Sequence, residues 1–315
     1  MEEHLNTPCV SFSSGIPFAR VTGGAHNSEL LFIDEKGTCQ AEISDSLILE
    51  CVNKVMLKNK KPMAVRTRMA TALFKHLKFN KEPVDDELIS LYFAAKAELS
   101  KRDRKEIKLT EGTLSPVPNI EKRDTIYVSG QSGSGKSTWV KNYCEAFSKI
   151  YPDRPIFLFS KVEDDPAFSA MIHKKIITKV PLDESLVKEP ITTEELANSL
   201  AIFDDTDTVK DKEIKAAVDA LINDILQTGR HSNTYIIRTS HQIANYRETA
   251  ITLNESNTLV VFPHTNRHQI DYVLKNYVGL DNETIKKIRG LPSRWVVVYK
   301  NYPQYVYYEQ GAFVV

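Results

Sequence analysis

Cysteine is scarce in this chain: four residues in 315, Cys9, Cys39, Cys51 and Cys144, with no C-x-x-C pair among them. That spacing suggests neither a zinc site nor a disulfide framework, and a reducing, cytosol-like compartment is the natural expectation. No sign of charge is in excess, since 41 basic residues face 41 acidic ones, so no global basic surplus announces nucleic acid. A local basic surface is not excluded by that balance. No run approaches 18 apolar residues, so no membrane-spanning helix is expected. The start, MEEHLNTPCV, has no apolar core and reads as no signal peptide. Internal repeats and low-complexity tracts are lacking too. What remains is an ordinary globular composition, 42% hydrophobic and 26% charged, long enough for one large or two modest domains.

The richest stretch is TIYVSGQSGSGKSTWVKNYC, residues 125 to 144. Within it Gly130 to Ser137 fits G-x-x-x-x-G-K-[ST], between a β-rich run and a helical pattern that puts Trp139, Val140, Tyr143 and Phe147 on one side. Glycines in such a loop let successive backbone N–H groups point at phosphates, and the helix N-terminus adds partial positive charge. Gly130, Gln131, Ser132, Gly133, Ser134 and Gly135, with Lys136, Ser137 and Thr138, are therefore the expected nucleotide-binding residues. Lys136 would reach the β- and γ-phosphates and Ser137 would give its hydroxyl to Mg²⁺.

Downstream, Leu200-Ala-Ile-Phe-Asp-Asp205 reads as an apolar strand ending in two carboxylates. Asp204 is the natural Mg²⁺ partner across from Ser137, and Asp205 sits where an acid would contact the attacking water. A further strand, Thr234-Tyr-Ile-Ile-Arg-Thr-Ser240, ends at His241-Gln242. Ligands of open α/β sheets lie off the carboxyl ends of the strands, so Gln242 or His241 can touch the γ-phosphate or its water. Arg230, in Gly-Arg-His231 before that strand, lies at its far end, because about eight residues span roughly 26 Å. It could act only on a neighbouring subunit; Arg247 and Arg267 are weaker candidates for that role. Arg238, a charge inside the strand, should pair with a carboxylate.

Residues 1–100 differ in texture, with a strand-like run at 29–37 and amphipathic helices over 46–58 and 85–99. The polar, Pro-containing stretch 101–122 has linker composition, and 123–315 alternates apolar strands with helices, as a parallel sheet covered on both faces would. The tail reads as a β-hairpin at the sheet edge. From Lys54 to Lys108 fifteen Lys/Arg face seven Asp/Glu, an excess of eight that DNA could use. Lys174, Lys175 and Lys179, or Lys210, Lys212 and Lys215, could line a pore.

Taken together, GQSGSGKS, then LAIFDD, then LQTGRHSNTYIIRTSHQ resemble the DNA-packaging ATPases of large DNA viruses, the poxvirus-type branch of the FtsK–HerA superfamily. The resemblance covers roughly residues 115–275. It implies a three-layer α/β P-loop NTPase sandwich with a mainly parallel sheet of strand order 5-1-4-3-2, to which the residues themselves add the C-terminal hairpin and a small α+β N-terminal region. It also implies ATP and Mg²⁺ as cofactors, with Lys136, Asp205, Gln242 as sensor and Arg230 as trans finger in the catalytic set, and Ser137 and Asp204 on the metal. The partners it implies are double-stranded DNA, further copies of the chain in a ring, expected to be a hexamer, and viral capsid or portal-vertex proteins. The place would be the virion or the host cytoplasm. The alternative is a P-loop kinase for a nucleoside or other small acceptor, which would want an Arg-bearing lid after the Asp pair. An ABC-type ATPase would need L-S-G-G-Q, which is absent, and a non-catalytic switch would have no need of both carboxylates.

Overall fold

The computed structural model describes residues 8–35, 48–49, 52–53, 56, 62–78, 83–102, 106–162, 165–245 and 249–315. Ten strands form one sheet: β4 (Glu106–Lys108), β6 (Thr125–Ser129), β7 (Ile156–Ser160), β8 (Ile177–Val180), β9 (Leu200–Asp204), β10 (Tyr235–Ser240), β11 (Thr258–Val261), β12 (Val296–Tyr299), β13 (Tyr305–Tyr308) and β14 (Gly311–Val314). Their order is β4-β14-β13-β12-β11-β6-β10-β9-β7-β8. Counting from β6 without β8, the parallel part runs 5-1-4-3-2, as expected. β10 thus lies between the loop strand β6 and the acidic strand β9, with Ser240 opposite Ser129 and Arg238 opposite Phe203.

Alternate residues of these strands face different helices. Leu200, Ile202, Tyr235 and Ile237 pack with Trp139, Val140, Tyr143 and Phe147 of the helix Lys136–Ile150. Ala201, Phe203 and Ile236 pack with Val218, Leu221, Ile222 and Ile225 of the helix Lys212–Thr228. The apolar positions of both helices recur every three or four residues, which makes one buried stripe on each. Burial on both faces is why these strands are continuously apolar. Arg238 is the exception inside the sheet: it is 3% exposed, donates to Thr252 Oγ1 at 2.7 Å and meets Asp219 Oδ1 at 3.4 Å, the carboxylate partner expected.

The tail adds more than a hairpin. β12, β13 and β14 form an antiparallel meander, and β4 pairs with β14 at the edge. A second sheet, β1 (Cys9–Ser11), β3 (Leu30–Asp34), β2 (Ile16–Thr22) and β5 (Thr113–Pro116), is antiparallel throughout. Its Phe18 packs on Tyr305 and Tyr307, ring centroids 4.8 and 5.2 Å apart, so it shares the core of the large sheet. The stretch 101–122, with its linker composition, therefore carries one strand of each sheet. Helices Met63–Lys78 and Asp86–Arg102 bury their own cluster, in which Leu73, Leu91 and Tyr92 take part with Ile48, Val52 and Met56. The expected helix 46–58 lies largely outside the described residues. Cys9 is disulfide-bonded, contrary to the expectation of no disulfide framework. Sequence spacing does not show which cysteines a fold brings together. Among the described residues no helix is long and apolar enough to cross a membrane.

Asp124, just before β6, is buried, and its Oδ2 accepts from Tyr143 OH at 2.6 Å and from the Asn119 N–H at 2.9 Å. Burial pushes its carboxyl up to about 6, against the two hydrogen bonds. The folded state therefore binds this proton more tightly than the unfolded chain, in which an Asp titrates near ~3.9. Its contribution to stability is fully present below that value and is lost as pH rises through about 6. Asp124→Asn keeps an acceptor for both donors, so it should flatten this slope and gain on the order of 1–2 kcal/mol over wild type at neutral pH. Denaturant unfolding of both proteins at pH 4.5 and 7.5 checks this; an equal pH dependence in the two would contradict it.

Candidate functional site

The loop Gly130–Gly135 leaves β6 and enters the helix that starts at Lys136. Two positions need glycine for stated reasons. Gly135 caps the helix at φ 110°, in the left-handed region. A Cβ on Gly130 would sit 2.5 Å from the ring of Phe262, the residue that follows β11. Phe262 is thus a floor under the loop.

Lys136 is 6% exposed. Its Nζ donates to the Gly130 carbonyl at 3.0 Å, faces His241 Nδ1 at 3.2 Å and lies 3.5 Å from Asp205 Oδ1. His241 Nε2 in turn meets Asp205 Oδ2 at 2.9 Å. An ammonium has no acceptor to offer, so Nδ1 accepts from it and Nε2 carries the proton given to Asp205. Lysine, histidine and aspartate close a ring of polar contacts at the carboxyl ends of three adjacent strands.

Thr239 on β10 joins the two carboxylates. Its hydroxyl lies 2.9 Å from Asp204 Oδ1 and 3.1 Å from Asp205 Oδ1, and it accepts the Asp205 N–H at 2.8 Å. Asp205 has φ 46°, a left-handed turn that aspartate tolerates, and this turn swings its carboxylate toward Lys136. Ser240 repeats the device one residue on, donating to Asp207 Oδ2 at 2.8 Å. A threonine in a strand reads as a β-former, so only the pairing of β9 with β10 reveals Thr239 as a site residue.

Asp204 is 4% exposed. Burial, then the neighbouring charge of Asp205, pushes its carboxyl up to about 6. A desolvated carboxylate beside a second one fits a site that takes a divalent cation. Together with the half-buried hydroxyl-bearing Ser137, it offers the hard oxygen ligands that Mg²⁺ prefers. Among the described residues no group of three or more His, Cys, Asp or Glu makes a metal cage.

The structure does not bring every expected residue here. The side chain of Gln242 is exposed and its Oε1 accepts from Asn245 Nδ2 at 3.2 Å. Its backbone N–H instead goes to Ser240 Oγ at 3.0 Å, a turn that sends His241, not Gln242, into the site. Arg230 is exposed beside the start of β10, next to Arg123, which donates to the carbonyls of Ile225, Leu226 and Thr234. β10 places it about 20 Å from Lys136 along the strand. Arg267 opens the helix Arg267–Asn276, exposed and on the loop's own side of the sheet, while Arg247 lies outside the described residues. Lys174 and Lys175 precede β8 and Lys210 and Lys212 follow β9, so these lysines stand toward opposite ends of the parallel strands.

A phosphate loop on strand 1, an acidic strand 3 and a polar-ended strand 4 between them define a P-loop NTPase. The chain belongs to the family of the uncharacterized protein V3 of Sputnik virophage, with 36% identity over 217 residues, 68% of this chain and 86% of that protein. No protein-family model matches it. Among solved structures it is similar to the DNA-packaging ATPase B204 of Sulfolobus turreted icosahedral virus, at 14% identity and a TM-score of 0.44, over 61% of this chain and 98% of that one. It is also similar to the cytoplasmic domain of the type VII secretion ATPase EccC of Thermomonospora curvata, at 10% identity and a TM-score of 0.44, over 66% of this chain and 29% of that one.

Proposed function

We propose that the chain is an ATP-hydrolysing translocase of double-stranded DNA that packages a viral genome, working as a ring of identical subunits. The observation that carries the reading is the convergence of Lys136, His241 and Asp205, with Asp204 tied in through Thr239, at one end of the sheet. Asp205 and His241 both lie against the ammonium of Lys136. ATP offers its β- and γ-phosphates to that ammonium and to the loop N–H groups. Asp205, held by His241 and Thr239, orients the attacking water and takes its proton, while His241 Nδ1, an acceptor, faces that water. Mg²⁺ on Asp204 and Ser137 would neutralise charge on the β- and γ-phosphates. Arg230, too far to serve its own site, supplies the cation from the next subunit.

DNA as substrate and capsid delivery as outcome rest on the three-segment resemblance and on a relative encoded by a virophage. A duplex carrying a bound third strand tests translocation. The wild-type chain should release the third strand only with ATP, and Lys136→Ala should release none; brisk hydrolysis without release would contradict the reading. The assignment of His241 has its own check. His241→Ala should lower kcat by about 10–100-fold, the usual cost of losing a residue that orients a reacting group, with KM little changed. Gln242→Ala should stay within about twofold, since its side chain points away. The reverse ranking would return the sensor role to Gln242.

A further inference from the structure

The two sides of the loop differ. On the side of β9 and β10 lie Lys136, His241 and Asp205, where the terminal phosphate reacts. On the other side lie the ends of β11 and the turn into β12. From that turn Arg294, exposed, donates from Nη2 to the Ser134 carbonyl at 3.4 Å, and the same nitrogen would lie 3.3 Å from a Cβ on Gly135. The backbone behind it is fixed, because Glu309 Oε2 accepts the Arg294 N–H at 2.8 Å and lies 3.2 Å from Ser293 Oγ. Close by, Gln131 Nε2 donates to Asn266 Oδ1 at 3.1 Å, an exposed amide pair bridging the loop to the residue before the helix Arg267–Asn276. Phe262 closes the floor beneath both.

A triphosphate laid along the loop with its reacting end at Asp205 leaves the loop on this second side. We propose that Arg294 is the base-binding residue of the nucleotide site, its guanidinium plane stacked on the base, with the Gln131 and Asn266 amides at the base's edge. A guanidinium is planar and weakly hydrated and stacks on aromatic faces, and an amide pair offers both donors and acceptors to a heteroaromatic edge. The arginine is exposed yet anchored at its backbone, so it is presented to a ligand instead of buried in the fold. This inference rests on the nucleotide-binding reading above.

Calorimetric titration of the full chain with a non-hydrolysable ATP analogue and, separately, with tripolyphosphate, both with Mg²⁺, tests it. Arg294→Ala should weaken the analogue by about tenfold, leave tripolyphosphate unchanged and leave the thermal midpoint without ligand unchanged. Arg294→Phe should recover most of the lost affinity, because it restores a stacking face without the charge. Equal loss for both probes would overturn the assignment in favour of a phosphate contact, and an analogue affinity like wild type in Arg294→Ala would overturn it outright. Lys136→Ala separates the two readings, since it should weaken both probes. A wild-type chain that binds neither probe would sink the nucleotide-binding reading itself and the base subsite with it.

Discussion

Replacing Arg230 by alanine should reduce steady-state ATP hydrolysis by about 10³–10⁵-fold, the range that arginine fingers supply to phosphoryl transfer, with nucleotide affinity close to wild type. The geometry sets both halves of this result. Arg230 stands at the amino-terminal end of β10 and Lys136 near the carboxyl end of β6, so within one subunit the arginine cannot touch the triphosphate. Its exposure next to the capped end of the helix Lys212–Thr228 leaves it available to a neighbour. Measured kcat together with the dissociation constant of a non-hydrolysable analogue checks the split. A large loss of affinity in Arg230→Ala would place the arginine in its own site, against the fold. A rate equal to wild type would remove the trans role.

The second large effect belongs to Asp205. Asp205→Asn keeps the volume and one acceptor oxygen, which serves His241 Nε2, and turns its NH2 to Thr239 Oγ1, whose own proton goes to Asp204 Oδ1, but it removes the charge that can take a proton from water. The expected loss is about 10²–10⁴-fold in kcat, the contribution of a positioned general base, with KM changed little because ground-state contacts survive. Lys136→Ala should instead lose binding, since the ammonium meets the phosphates in ground and transition states alike. Comparing the two variants by binding and by single-turnover hydrolysis tells the roles apart. Equal loss of affinity in both would mean that Asp205 holds the nucleotide and does not act on water.

The contrast between what the sequence revealed and what it hid follows from the range of the interactions. The strand, loop and helix around GQSGSGKS are a local unit, with glycines, lysine and apolar stripe within twenty residues, so they were legible at once. The position of β10 between β6 and β9 came from the family resemblance and agrees with the register of Ser240 on Ser129. The second sheet was not legible, because Val21 pairs with Leu114 across most of the N-terminal third of the chain and Pro116 and its neighbours look like a linker in composition. His241 and Gln242 were indistinguishable in sequence. The turn that brings His241 in is held from across the fold, by the Gln242 N–H on Ser240 Oγ, by Tyr127 OH on the Gln242 carbonyl and by the His241 N–H on Asp207 Oδ2. Thr239 and Arg294 gave no signal of their own, since a strand threonine and a charged residue at a turn are ordinary, and only their neighbours across the fold give them a part.

Coupling of ATP hydrolysis to DNA is the central claim, and steady-state hydrolysis with and without long double-stranded DNA tests it most directly. At low salt, with Lys136→Ala as the blank, hydrolysis should rise on addition of DNA, and the stimulation should fall steeply as salt is raised and phosphate contacts are screened. Hydrolysis that ignores DNA at every salt concentration would contradict the account and leave a P-loop enzyme acting on some other acceptor.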